Sequence, residues 1–284
     1  MKTIGIIGLG NMGSIIATIV AKHETYPVLL ANRTHEKAVN LAEKLNATAV
    51  TNRQVFEEAN VIFLGVKPNQ IQELLEENKK ILHQRESILL ISMAAGVTLE
   101  QLESMTDTRH RWIRMMPNTP LEVAEGVISF SLGKNVTTPY KEEFVRLMES
   151  ESLLVELPEA QINAATALAG CGPAFVYIFI EALAEAGVSM GLSREVALQL
   201  ATQTVKGSAS MVGETKEHPA ILKEKVCSPG GSTIAGVISL EQTGFRSSVI
   251  EATRCAKQRI RAIRSEYELN FYCCEKNYTN LCIK

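Results

Sequence analysis

Short apolar runs alternate with segments of helical spacing through the first half of this 284-residue chain. Ile4-Gly5-Ile6-Ile7 is the first run, and residues 14–21 follow with apolar positions at helical spacing. Val28-Leu29-Leu30-Ala31 predicts a second strand, residues 35–45 a helix and residues 47–50 a short third strand. Val61-Ile62-Phe63-Leu64-Gly65-Val66, Ile88-Leu89-Leu90-Ile91-Ser92 and Trp112-Ile113-Arg114-Met115-Met116 continue the series. Strands apolar at every position, with helices between them, predict a parallel sheet covered on both faces. Right-handed crossovers then give a doubly wound α/β domain. It is expected to end near Leu157, after Leu153-Leu154-Val155-Glu156.

From Pro158 the strand pattern stops. Residues 160–169, 173–190, 194–212 and 245–264 read as helices, with proline or glycine at most of the breaks. Residues 175–184 are apolar on nearly every helical face, so that helix must be buried all round. A small helical domain has little interior to hide it. An intertwined dimer is the favoured solution, and a central helix of a monomeric bundle the alternative. The expected organisation is a nucleotide domain over residues 1–157, an all-α substrate and dimerisation domain over 158–264, and a tail at 265–284 to which no role is assigned.

Gly8-Leu9-Gly10-Asn11-Met12-Gly13 lies between the first strand and the first helix, the context that makes this glycine pattern a dinucleotide site. Gly8 permits the tight turn, Gly10 lets the backbone approach a pyrophosphate, and Gly13 lets helix pack on strand. Free N–H groups at the helix start then face the diphosphate. The second strand ends at Ala31-Asn32-Arg33-Thr34, where an acid would accept from a ribose 2′-hydroxyl. This chain offers Arg33 instead, whose planar fork matches a 2′-phosphate. NADPH is therefore the expected cofactor, with NADH the weaker alternative. Asn52, Val66-Lys67-Pro68, Ala94 and Ala95 before Gly96, and Asn118 between Pro117 and Pro120 follow later strands and complete the expected nucleotide contacts.

Composition narrows the partners. A net charge of −2 gives no sign of nucleic acid. No apolar run is expected to reach membrane-spanning length, and no signal peptide is read at the start. The six cysteines show no metal-ligand spacing, which predicts a reduced, cytoplasmic protein without a metal.

A second chemical segment is Cys227-Ser228-Pro229-Gly230-Gly231-Ser232-Thr233-Ile234-Ala235-Gly236. Pro-Gly-Gly stops one helix, and Ser232 and Thr233 are expected to cap the next. Clustered N–H groups and two hydroxyls make an anion cradle suited to a carboxylate. Gly170-Cys171-Gly172-Pro173-Ala174 makes a second break, and the two are expected to wall a compact site against the nicotinamide. None of the five histidines lies in a catalytic setting, and no Ser-His-Asp relay is visible. Reducing a ketone needs a proton donor to the forming alkoxide, whereas a protonated imine accepts hydride by losing its charge. The missing acid-base group favours the imine.

These residues carry a resemblance. Gly8 to Gly13, Val66-Lys67-Pro68, Met93-Ala94-Ala95-Gly96-Val97, Met116-Pro117-Asn118-Thr119-Pro120, Gly170-Cys171-Gly172-Pro173-Ala174-Phe175, Val226-Cys227-Ser228-Pro229-Gly230-Gly231-Ser232-Thr233 and Gly244-Phe245-Arg246 resemble the pyrroline-5-carboxylate reductases over residues 2–264. The resemblance implies a Rossmann domain followed by a helical dimerisation domain, helix-swapped homodimers and a larger ring such as a pentamer of dimers. It implies reduction of Δ1-pyrroline-5-carboxylate to L-proline. Thr233 would hydrogen-bond the ring nitrogen as the catalytic group. Ser228, Gly230, Gly231 and Ser232 would hold the substrate carboxylate with Thr233, and Glu159 would lie near the substrate. Two other classes remain as alternatives. A β-hydroxyacid dehydrogenase would need a lysine, but residues 173–194 contain none. An idle nucleotide-sensing dimer could lose the segment at 228–233, which is intact here.

Overall fold

The computed structural model describes residues 2–279, with side chains described through residue 263. Contacts divide the chain into two compact units. One runs to Gly170 and also takes in the last helix from Ala256; the other is Cys171–Cys255.

The first unit contains β1 (Ile4–Ile7), α1 (Asn11–Ala21), β2 (Val28–Ala31), α2 (His35–Leu45), β3 (Thr48–Ala49), α3 (Asn52–Glu58), β4 (Val61–Leu64), α4 (Pro68–Glu77), α5 (Lys79–Gln84), β5 (Leu89–Ser92), α6 (Leu99–Ser104), β6 (Arg111–Pro117), β7 (Gly126–Leu132), α7 (Thr138–Met148), β8 (Ser152–Glu156) and α8 (Glu159–Ala165). The eight strands form one sheet in the order β3-β2-β1-β4-β5-β6-β7-β8. Strand order reverses between β1 and β4, which makes the end of β1 the topological switch point where such sheets bind ligands.

The apolar strands bury both faces, as their composition demands. Ile6, Leu30, Phe63, Ile91 and Ile113 join one core beneath α1, α2 and α7. Their sequence neighbours Ile7, Leu29, Ile62, Leu90 and Trp112 join another on the opposite face. The period of two residues sends successive side chains to opposite sides. The sheet is not wholly parallel. β7 was not expected from the sequence; it runs antiparallel to β6, with β8 parallel to it.

The second unit holds α9 (Gly172–Ser189), α10 (Arg194–Thr215), α11 (Pro219–Lys225), α12 (Ser232–Gln242) and the start of α13 (Phe245–Thr279). The expected boundary at 157/158 differs from the contact division at 170/171. The reason is α8, which belongs to the first unit: its Glu159 pairs with Arg114 of β6. The helix expected to stop at 264 continues to Thr279, so part of the unassigned tail is helical; residues 280–284 lie outside the described residues.

Within one chain the second unit hardly has a core. Its buried cluster is Ala184, Ala197 and Ala201, with Ile180 and Val188 packed against it. Meanwhile Tyr177, Ile178 and Leu200 are 58%, 65% and 55% exposed. The all-round apolar α9 is thus not buried by its own chain. The expectation that no apolar run reaches membrane-spanning length fails at this stretch. By length and composition alone, Glu159–Ser189 is apolar enough to cross a membrane. Breaks at Gly170 and Pro173 were expected to interrupt that stretch, but proline is tolerated in the first turn of α9.

Candidate active site

The glycine loop follows β1 at the switch point, and its three glycines do three different things. Gly8 has φ of +92°, and a Cβ there would come to 2.8 Å from the Gly65 carbonyl. At Gly13 a Cβ would overlap the Gly8 carbonyl oxygen. Gly10 is different: it is exposed, and a Cβ would meet nothing within 4 Å. That open space lies over the start of α1, which has Gly10 as its N-cap, no side-chain cap and no acid in its first turn. Ser14 N–H returns to the Gly10 carbonyl. The N–H groups of Asn11, Met12 and Gly13 are left as the orphan donors of the helix start. Such donors, with open space above and no competing acid, fit the diphosphate of a dinucleotide.

Leu9 is held by the protein itself. Its side chain is buried, and its N–H donates to Asn32 Oδ1 at 3.0 Å. Asn32 Nδ2 donates to the Thr34 carbonyl at 3.1 Å. Asn32 therefore ties the glycine loop to the end of β2, where Arg33 and Thr34 are exposed. Arg33 has no ion-pair partner among the described residues, so its fork is available to a phosphate. Gly65 N–H bonds the Ile7 carbonyl at 2.8 Å and sets the β4 end beside the loop. Lys67 is exposed at the N-cap of α4, with Pro68 in the first turn. Asn52 opens α3, whose cap is Thr51. Ala94 is buried in the core, and Ala95 is half-buried beside Gly96 at φ of +86°.

Asn118 and Glu159 are engaged by the protein itself. Asn118 Nδ2 donates to the Ala169 carbonyl at 3.1 Å, and its Oδ1 accepts from Val127 N–H at 2.8 Å. Glu159 Oε1 accepts from Leu99 N–H at 2.6 Å and Arg114 Nη1 at 3.0 Å. Arg114 Nη2 donates to Asn163 at 3.0 Å. The carboxylate expected beside the substrate thus binds the start of α6 to α8. Arg114 and Asn163 were not singled out from the sequence. The signal was a charge inside the apolar run of β6, where Arg114 is 2% exposed.

The second unit places Ser228, Gly230, Gly231, Ser232 and Thr233 together at the start of α12. Gly230 has φ of +67°, and no atom lies within 4 Å of the place its Cβ would take. Two details correct the sequence reading. The N-cap is Gly231, and neither Ser232 nor Thr233 makes a side-chain cap. Gly231 N–H is already bonded to the Ser228 carbonyl at 3.0 Å. The first helical return is Ala235 N–H to the Gly231 carbonyl. The available donors are therefore the amides of Ser232, Thr233 and Ile234. The hydroxyls of Ser232 and Thr233 belong to exposed residues. With no acid in the first turn, this end of α12 favours an anion.

The histidines have ordinary structural surroundings where their partners are seen. His23 meets the Leu147 carbonyl, His83 pairs with Asp107, His110 bonds the Leu82 carbonyl and His218 caps α11.

The chain matches the family model described as pyrroline-5-carboxylate reductase dimerisation over residues 159–263. It matches the one described as NADP oxidoreductase coenzyme F420-dependent over residues 3–96. It is 37% identical over 265 residues to the pyrroline-5-carboxylate reductase of Arabidopsis thaliana, covering 92% of this chain and 95% of that protein. To the enzyme of Escherichia coli (strain K12) it is 38% identical over 262 residues, covering 90% and 97%. The crystal structure of Plasmodium falciparum pyrroline carboxylate reductase with NADP bound superimposes with a TM-score of 0.83 at 32% identity, covering 93% of this chain and 98% of that one. With a glycine loop open at Gly10, an unopposed Arg33, an anion-ready start to α12 and this similarity along its length, the chain belongs to the pyrroline-5-carboxylate reductase family.

Proposed function

We propose that the chain reduces Δ1-pyrroline-5-carboxylate to L-proline, the last step of proline biosynthesis, using NADPH in preference to NADH. The observation that carries this reading is the start of α12, where three free amides and two exposed hydroxyls stand without an opposing acid. A small cyclic imine bearing a carboxylate has the two features such a place can hold.

The amides of Ser232, Thr233 and Ile234 bind the carboxylate, aided by the positive end of α12. Ser228, Gly230 and Gly231 shape the turn that exposes them. Thr233 Oγ accepts a hydrogen bond from the protonated ring nitrogen and so turns the imine carbon toward attack. The iminium loses its charge on reduction, so no side chain has to deliver a proton to a developing alkoxide. In the first unit, the amides of Asn11 to Gly13 hold the diphosphate and Arg33 the 2′-phosphate. When bound, the reduced nicotinamide supplies the hydride. Glu159 acts at one remove, by holding Leu99 and with it the segment that follows Ala94 and Ala95.

The second unit is a dimerisation domain. We infer a homodimer in which α9 of one copy is covered by the other, with a pentamer of dimers as the full assembly. The apolar stretch 159–189 then meets protein rather than lipid. Cys171, Cys227 and Cys255 are free thiols, which accords with a cytoplasmic location.

The direct test follows NADPH absorbance with and without pyrroline-5-carboxylate. Substrate-dependent oxidation yielding proline is expected, faster with NADPH than with NADH. Absence of oxidation by the purified, folded dimer overturns the assignment.

A further inference from the structure

The cofactor loops sit at the carboxyl ends of the parallel strands. At the other end of the same sheet, where β6 begins and β7 finishes, the loops preceding Arg111 and following Leu132 line an open surface cavity of about 530 Å³. Nothing in the reductase chemistry uses it. Three of its lining residues are cations, Arg109, Arg111 and Lys134, and Thr108, Asn135 and Thr137 add polar groups. No acid lines it.

Of the three, Arg111 is held in place, Arg109 is exposed and makes one long ion pair, and Lys134 is exposed. Arg111 lies 4.2 Å over the Tyr140 ring and donates from Nη1 to the Arg109 carbonyl at 3.2 Å. Its Nε is buried without a hydrogen-bond partner. The loops are clamped together by Asn135 Nδ2 donating to the Thr108 carbonyl at 2.8 Å. The nearby acids are occupied elsewhere. Asp107 Oδ2 is 3.0 Å from His83 and only within 3.8 Å of Arg109. Glu103 Oε1 accepts the backbone N–H of Lys134 at 2.9 Å. Lys134 Nζ has no partner among the described residues. The start of α7 adds to the same field: its N-cap Thr137 makes no side-chain cap, and its first turn has no acid. Three cations and a helix N-terminus therefore meet at one concavity that no acid lines, with Asp107 3.8 Å from Arg109 the nearest ion-pair partner, a field that concentrates anions.

We propose that this cavity binds a diphosphate or triphosphate group, either inorganic pyrophosphate or the phosphate tail of a nucleotide. The charge of a chain of two or three phosphates matches three cations around one cavity better than that of a single phosphate or carboxylate. Arg111 supplies the fixed fork and Arg109 and Lys134 the closing charges.

The test is calorimetric titration of the intact protein with pyrophosphate and, separately, with ATP, each with NADP⁺ present in saturating amount so that the glycine loop and Arg33 are filled. Both probes are expected to bind, with affinity falling as salt rises. The double variant Arg109→Gln/Lys134→Gln should weaken both by about 30-fold, while Arg33→Ala should leave them unchanged. A urea unfolding midpoint equal to that of the parent shows that the double variant is folded. ATP binding at least tenfold tighter than pyrophosphate identifies a nucleotide as the ligand; equal affinities identify the phosphate group alone. The proposal is overturned if neither probe binds at millimolar concentration. It is equally overturned if binding survives the double variant or disappears with Arg33→Ala. These readouts involve no turnover, so they stand or fall separately from the reductase assignment.

Discussion

One methyl group placed at two positions of the glycine loop should separate folding from cofactor binding. Gly10 has φ of −76° and ψ of −169°, which any residue adopts, and its Cβ would touch nothing. In Gly10→Ala the unfolded chain loses freedom, worth about 0.4–1 kcal/mol of stability. Alanine is a poorer N-cap by a similar amount, so the net change is within about 0.5 kcal/mol. The methyl nevertheless occupies the space the diphosphate needs above Asn11 to Gly13. Losing two charge-assisted hydrogen bonds costs about 3 kcal/mol, or over 100-fold in Kd for NADP⁺. Gly13→Ala behaves oppositely. Alanine gains about 1 kcal/mol of helix propensity. However, its Cβ would overlap the Gly8 carbonyl oxygen and come to 3.0 Å from the carbonyl carbon. Gly8 cannot yield easily, because its own N–H is bonded to Ala31 and its backbone abuts Gly65. A backbone clash of this kind costs about 3 kcal/mol, leaving a net loss of about 2 kcal/mol. The midpoint of thermal unfolding should then fall by about 4–8 °C. Calorimetric titration with NADP⁺ and thermal unfolding of both variants give the answer. A Gly10→Ala protein that binds NADP⁺ within about threefold of the parent would show that the diphosphate lies elsewhere, and an unshifted Gly13→Ala would refute the packing reading.

Arg33→Ala should raise KM for NADPH by about 10- to 100-fold and leave that for NADH nearly unchanged, because only one cofactor carries the 2′-phosphate; steady-state kinetics with equal loss for both would refute the contact. Thr233→Val should lower kcat/KM by about 10- to 100-fold at unchanged unfolding midpoint, with Thr233→Ser restoring much of it; kinetics equal to the parent would remove the hydroxyl from the mechanism. Burial holds the His110 imidazole below its ordinary value, despite the bond from Nε2 to the Leu82 carbonyl, and its buried Nδ1 has no partner for a second proton. The unfolded chain therefore takes up the proton first as pH falls, so native stability is full above about pH 7 and declines through and below about 6.5. Urea midpoints between these conditions should fall less steeply for His110→Gln than for the parent, and equal slopes would refute the assignment.

What could be read along the chain was local. β1, β2, β4, β5 and β6 are continuous apolar runs because both sheet faces are buried, and the glycines at 8, 10 and 13 each have a reason within a few residues. β7 is not a continuous apolar run, because Ser129 and Ser131 alternate with its apolar residues, yet they are 3% and 2% exposed. Their polarity is absorbed by distant partners, as in the bond from Ser131 Oγ to the Leu157 carbonyl. The same holds at the site. Glu159 meets Leu99 across 60 residues and Asn118 meets Ala169 across 51. A carboxylate or amide with a ligand and one with a remote backbone partner look alike in sequence. Only the fold separates them, and it shows why both kinds of residue sit close together. Loops that hold a cofactor must be fixed, and in this unit α8 holds the segment after β5 through Glu159 and is itself anchored to strand β6 by the bonds of Arg114 to Glu159 and Asn163. Polar side chains that make these bonds brace the site whether or not they also meet a ligand. Motif similarity alone therefore does not separate bracing from direct contact, while the exposed groups Arg33 and Thr233 are the ones whose removal should alter chemistry without loosening the fold.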